Sequence, residues 1–348
     1  MSAFLKAISP FPGLVSNRRS ARNRVVRKLQ RFAPLLLVFA VIFVTTRTAF
    51  AKDDVSGFIA LQSKANNHHD GESAVIARIR YETPRVDGNR AVITAEGNYY
   101  DRTLVLEDTY IDRKLSPQVT VVAGIVNKTL GLEYTENKVE RYTIHRSPIY
   151  QKMESLGLVG RQLTLRVTAA PGKRKKDSKW SAALGTDGSR DFNLAISFER
   201  QKNGLGMGAW FLAEARKSSV GYQPVFANVL SLWAQNERRR LVLELFQGID
   251  PDRSEFAKTI RQQRRVMFLG SKVELVRYID LGQKIVFSPL FQASLWLDDA
   301  TEPREYSRQA LLGARLQRGA LRVSINGVVK GGRAYDERVC YAEALLTF

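Results

Sequence analysis

A transmembrane, antiparallel, up-and-down β-barrel is the all-β fold class that this sequence predicts, with sixteen strands and fourteen as the alternative. Three observations predict it. The chain opens on an export leader, it continues as segments of about ten residues with alternating polarity, and it closes on the apolar strand VCYAEALLTF, which has no polar tail.

The leader comes first. Residues 1–51 carry nine basic residues and no acidic one, followed by the apolar run FAPLLLVFAVIFV from Phe32 to Val44 and an A-x-A site at Ala49–Ala51. A positive segment, a short apolar segment and small residues at the cut read as a secretory signal peptide. Thirteen apolar residues are too few for a spanning helix, which needs about 20. The mature part is expected to run from 52 to 348 as one barrel domain.

Loss of the leader changes the charge. The whole chain carries 54 Lys and Arg against 34 Asp and Glu, a net charge of +20; without the nine leader cations, 45 against 34 leaves +11. A basic protein in the cytoplasm would suggest nucleic acid. Export excludes that partner and leaves small anions, outer-membrane lipids and lipopolysaccharide. The single cysteine, Cys340, excludes an internal disulfide.

After the leader, no stretch has the length and apolarity of a membrane-spanning helix. Strands are predicted at 56–64, 72–83, 89–99, 102–112, 117–126, 159–170, 179–186, 190–200, 206–217, 225–235, 239–248, 268–279, 284–297, 305–317, 319–329 and 337–348. The clearest is RQLTLRVTA, in which Leu163, Leu165, Val167 and Ala169 oppose Gln162, Thr164, Arg166 and Thr168. DFNLAISFE, QALLGARLQ and ALRVSINGV repeat the pattern, whereas 102–112, 225–235 and 268–279 alternate poorly. With both ends on the periplasmic side the count must be even, so Arg253–Met267 is read as loop. The tight connections RKLSP, QKNGLG, DLGQ and QRG then fall on one rim and the long ones on the other.

A secreted sandwich or propeller could carry the same alternation. It gives no reason for the ending, in which Cys340, Ala342, Ala344, Leu346 and Phe348 share one apolar face. A barrel does, because its last strand must close on its first without leaving an edge. Phe348 is accordingly expected to be the C-terminal signal read by the barrel assembly machinery. The barrel turns its apolar set to lipid and its polar set to a lumen. Arg78, Arg80, Arg166, Arg216, Arg315 and Arg322 all fall in the inward set, since an Arg or Lys facing lipid at mid-membrane costs roughly 2–4 kcal/mol. Inward arginines attract anions. Trp180, Trp210, Trp233 and Trp296, with Tyr99, Tyr100 and Tyr341, are candidates for interfacial girdles. Arg238–Arg240 and Lys173–Lys176 are candidates for lipid phosphates.

The segment Leu106–Met153 carries a further signal. An acidic-Asp-aromatic strand (Glu107, Asp108, Tyr110) precedes a turn, an apolar strand with Gly124 and Lys128, the run Leu130-Gly131-Leu132-Glu133, and the pair Arg146-Ser147. This order resembles the phosphate-selective porin family of bacterial outer membranes, of the porin O and P type. Thr129 and Leu130 stand where that family has a proline turn. The resemblance implies a sixteen-stranded, trimeric channel for anions, with an inward-folded third loop at 128–158. In that loop Lys138, Arg141, His145, Arg146 and Lys152 are the constriction candidates, although Glu133, Glu136, Glu140 and Glu154 could instead pair with them and brace the loop.

Catalysis, cofactor and metal find little support. Only three histidines exist, and His68-His69 with Asp70 supply too few convergent ligands for a metal. No cofactor is implied and no enzyme is expected. The rival functions are a barrel for acidic polysaccharide and an outer-membrane lipid hydrolase built on His145 and Ser147.

Overall fold

The computed structural model describes residues 54–66, 72–99, 102–135, 141, 143–170, 178–186, 191–218, 221–254, 265–300, 306–332 and 336–348. The leader, Lys138, His68-His69 and Lys173–Lys176 lie outside the described residues. No helix among the described residues is long and apolar enough to cross a membrane.

The strands are β1 (Asp54–Asn66), β2 (Glu72–Glu82), β3 (Asn89–Asn98), β4 (Thr103–Lys114), β5 (Val119–Lys128), β6 (Gly160–Ala169), β7 (Ser178–Thr186) and β8 (Phe192–Lys202). They continue as β9 (Leu205–Ser218), β10 (Gly221–Gln235), β11 (Arg239–Ile249), β12 (Met267–Arg277, resumed at Ile279–Asp280), β13 (Ile285–Leu297), β14 (Tyr306–Arg318), β15 (Leu321–Gly332) and β16 (Asp336–Thr347). Each pairs antiparallel with its sequence neighbours. Both parts of β12 pair with β13, so the break at Tyr278 adds no strand. β1 pairs with β16 from Phe58↔Thr347 to Asn66↔Val339, and the ring closes at sixteen strands. The fourteen-strand alternative is excluded. Closure is sealed by Gly57 and Phe348, whose amides each donate to the other's carbonyl at 3.0 and 3.1 Å.

Side chains follow the period-two rule. Leu163, Leu165, Phe192 and Leu312 stand outward, between 52 and 67% exposed. Their alternates Thr164, Asn193 and Leu311 face inward and are buried. Two-residue turns hold one rim. Asn203 and Gly204 both have positive φ, 51 and 80°, which matches the twist of β8 into β9. A side chain at Gly204 would meet the Gln235 carbonyl at 2.4 Å, so glycine is required there.

Two departures from regularity shape the interior. Between β3 and β4 the register shifts at Ile93/Ala95, so Glu107 and Asp108 together oppose Thr94. This is a β-bulge. It explains the poor alternation of 102–112 and brings consecutive carboxylates toward the same charged wall. The second departure is the connection between β5 and β6, which enters the barrel with two helical pieces, α1 (Leu132–Thr135) and α2 (Pro148–Ser155). Pro148 opens α2 at its first turn, where its missing N–H costs nothing. Leu130, Leu132, Tyr134, Ile149, Tyr150 and Met153 bury against the inner faces of Trp210, Val229, Phe246, Phe268 and Trp296.

Candidate functional site

The lumen has two unlike walls. On β2–β4, Arg78 is held by Glu96 at 3.5 Å and by Glu107, which also takes Arg161. Arg80 meets Glu82 at 2.6 Å and donates to the Tyr110 hydroxyl at 3.1 Å. Arg90 bridges Glu82 and Asp112, and Arg85 completes the series on Asp112. The signs alternate along the wall, so its field is largely cancelled at short range.

Across the β16 seam, Arg322 bonds Glu343 at 2.6 Å, and Gln62 donates to the same carboxylate at 2.7 Å. Arg322 and Arg315 both reach the carbonyl of Arg141 in the inward loop, at 3.4 and 3.5 Å, and Arg315 also bonds Gln317 at 2.6 Å.

The wall of β9–β13 is apolar and covered by the loop. Charges survive there only in tight sets. Lys272 sits between Glu133 at 2.8 Å and Glu244 at 2.6 Å, and all three are buried. Glu244 also accepts from Tyr150 at 2.7 Å, Ser231 at 2.8 Å and the Leu132 amide at 3.1 Å. Glu133 accepts from the Ser147 amide at 3.0 Å. Burial alone would raise the Glu133 carboxyl, but Lys272 and the amide hold it below its ordinary range. A second set fixes the far end of the loop. Lys128 bonds Glu214 and the Gly157 carbonyl, both at 3.0 Å, while Arg216 bonds Glu214 at 2.9 Å and the Leu156 carbonyl at 2.8 Å.

The basic residues of the loop sit as fasteners. Arg146 stacks over Tyr134 at 3.7 Å and pairs with Glu154 at 3.6 Å. Lys152 pairs with Asp298 at 3.0 Å, beyond the end of β13. His145 packs on Tyr341 of β16 with ring centroids 4.5 Å apart, and Arg141 is buried. Ser147 is buried as well. Arg146 thus contacts the loop itself, while Lys152 and His145 reach the barrel. Among the described residues, no group of three or more His, Cys, Asp or Glu could hold a metal.

Two sequence expectations are corrected. Trp210, Trp296 and Tyr341 face inward, because loop packing recruits aromatic rings to the inner wall; Trp180 and Tyr99 stand exposed. Arg240 also turns inward and meets Glu274 at 3.3 Å rather than pointing to lipid.

Arg166 differs from Arg78, Arg80, Arg216 and Arg322, each of which meets a carboxylate. No carboxylate among the described residues lies within ion-pairing distance of it. It lines a polar cavity of about 250 Å³ in the lumen, with Asp108, Tyr110, Thr168, Lys179, Ser181, Ser197 and Glu199. Sequence reading missed Lys179 and the two serines. Their signal was present in the inward parity of 179–186 and 190–200.

A closed sixteen-strand ring with an apolar outside, a polar lumen and a long loop folded inward is the architecture of outer-membrane porins. Solved structures share it. A crystal structure of the outer membrane channel DcaP of Acinetobacter baumannii superposes with a TM-score of 0.60 at 9% identity, over 85% of this chain and 96% of that one. An anion-selective porin from Comamonas acidovorans gives 0.60 at 9%, over 84% and 98%. OmpT of Vibrio cholerae in its trimer form gives 0.60 at 9%, over 85% and 98%. No family model and no curated protein matches the sequence.

Proposed function

We propose that this barrel is an outer-membrane porin, allowing passive diffusion of small solutes with a preference for anions, phosphate among them. One observation carries the reading. The alternation that runs through the closed ring assigns these six arginines inward, and it leaves an apolar outer band, with Leu163, Leu165, Phe192 and Leu312 exposed, that suits lipid. The anion selectivity of the Comamonas neighbour supports the same direction, as does the resemblance of Leu106–Met153 to phosphate-selective porins. Export by cleavage of residues 1–51, recognition of Phe348 by the assembly machinery and contact with lipopolysaccharide belong to this reading. Homotrimer formation does too, supported by the trimer form of the Vibrio neighbour.

The test is planar-bilayer conductance under a salt gradient. A reversal potential shifted toward the anion supports the reading, and Arg166→Gln with Arg315→Gln together should reduce that shift. Unchanged selectivity in the double variant removes these residues from the conducting path, and a non-conducting barrel overturns the function.

A further inference from the structure

We propose that the cavity around Arg166 is a binding subsite for a hydroxylated monoanion, the class of sugar acids, rather than for a simple inorganic anion. This rests on the porin reading and names the solute class for it.

The cavity lies between the inner faces of β4, β6, β7 and β8 and the α1 end of the inward loop. Its charges are two cations, Arg166 and Lys179, and two carboxylates, Asp108 and Glu199. Lys179 and Glu199 already touch at 3.4 Å, whereas Arg166 lines the same space without an ion pair to a carboxylate among the described residues. A planar guanidinium with unused donors matches one carboxylate or phosphate group in a bidentate manner. The remainder of the lining argues against a bare, multiply charged anion. With Asp108 and Glu199 on the same cavity, the second and third charges of such an ion would face like charge.

Hydroxyl groups suit that remainder. They donate to the two carboxylates and accept from Lys179. The Ser181 and Ser197 hydroxyls share one hydrogen bond at 2.6 Å, which leaves a further hydroxyl proton. The Tyr110 hydroxyl accepts from Arg80 and keeps its own proton to give. Thr168 adds another hydroxyl, Thr135, whose proton goes to the Leu132 carbonyl at 2.8 Å, adds an acceptor, and Tyr134 lines one side. At about 250 Å³ the space exceeds what a single small ion fills.

The experiment uses full-length protein purified in detergent, then reconstituted. Gluconate, inorganic phosphate, acetate and sorbitol are compared by titration calorimetry, and gluconate block of single-channel current is recorded alongside. Gluconate should bind most tightly, with acetate and sorbitol each weaker. Arg166→Gln should raise the gluconate dissociation constant about ten-fold. Ser181→Ala with Ser197→Ala should raise it roughly three-fold while leaving acetate binding within error. Lys64→Gln, in a rim ion pair with Glu72, should leave gluconate binding unchanged. Phosphate or acetate binding as tightly as gluconate overturns the proposal, as does gluconate binding insensitive to Arg166→Gln. Absence of gluconate binding in a barrel that still shows anion-shifted conductance overturns the subsite alone. Gluconate binding in a barrel without that shift supports the subsite and overturns the anion preference.

Discussion

The β2–β4 wall and the β9–β13 wall begin from the same rule and end differently. Both turn apolar side chains outward. On β2–β4 the inward set is charged and paired in an open series, with Arg80 and Glu82 part-exposed. On β9–β13 the inward set is largely apolar, and loop residues such as Leu130, Leu132, Tyr134, Ile149, Tyr150 and Met153 cover it as a core covers a sheet. Water can repair a broken pair on the first wall. It cannot on the second, so equal substitutions should have unequal effects.

The largest expected effect tests that asymmetry directly. Lys272→Met leaves Glu133 and Glu244 buried without their cation and should cost about 3–5 kcal/mol. Arg80→Met, beside hydrated groups, should cost about 1 kcal/mol or less. Thermal melting in detergent, followed by loss of heat-modifiable gel migration, reads both. Equal losses would mean that the loop wall is wetter than its packing indicates. Single-channel conductance should rise in the Lys272 variant as the loop loses its anchor.

The second prediction compares the faces of a single strand. Leu165→Arg puts a charge on the apolar outside of β6 and should cost roughly 2–4 kcal/mol in a lipid-folding equilibrium. Arginine already stands next door at Arg166, facing the lumen. Equal tolerance of arginine at both positions would break the assignment of faces.

A third, smaller effect concerns how the loop turns. Gly131 has φ of 86°, and a side chain there would approach the Tyr150 hydroxyl at 2.0 Å. Gly131→Ala should cost about 1–3 kcal/mol through backbone strain, with the barrel strands intact by circular dichroism. No loss of stability would show that the α1 entry can reposition freely.

The same contrast explains what the sequence disclosed. All sixteen strands were legible because the lipid face repeats one chemistry. The weak segments were the informative ones. Residues 102–112 blur because the bulge at Glu107-Asp108 adds a residue, and 225–235 blurs because Val225, Ala227 and Val229 are apolar on the inward side to receive the loop. Alternation cannot distinguish an inward valine under a loop from an outward one under lipid. The partners of the arginines assigned inward were only partly legible: Glu82 and Glu214 stand two residues from Arg80 and Arg216 on the same strands, whereas Glu107 and Glu343 reach Arg78 and Arg322 from other strands. The loop's docking on Lys272 and Glu244 depends on contacts between 94 and 139 residues apart in sequence, which no local pattern records.

The smallest expected effect is a pH dependence of the loop. Glu133 is held below its ordinary value of 4.5 by Lys272 and the Ser147 amide, against its burial. A carboxyl depressed in the folded state contributes stability that is fully present above its unfolded pKa and is lost as pH falls through the folded one. The window therefore lies below about pH 4.5, and nothing should change between pH 6 and 8 from this group. Protonation removes one of the two charges on Lys272 but leaves Glu244, so partial loosening is expected rather than expulsion. Single-channel records from pH 7 to pH 3 should show added noise or brief conductance steps only at the acid end. Glu133→Gln should show the same noise already at pH 7, because it carries the neutral form permanently. Acid noise that persists unchanged in Glu133→Gln would assign it to the open carboxylates of the β2–β4 wall, and the loop anchor would then be insensitive to pH.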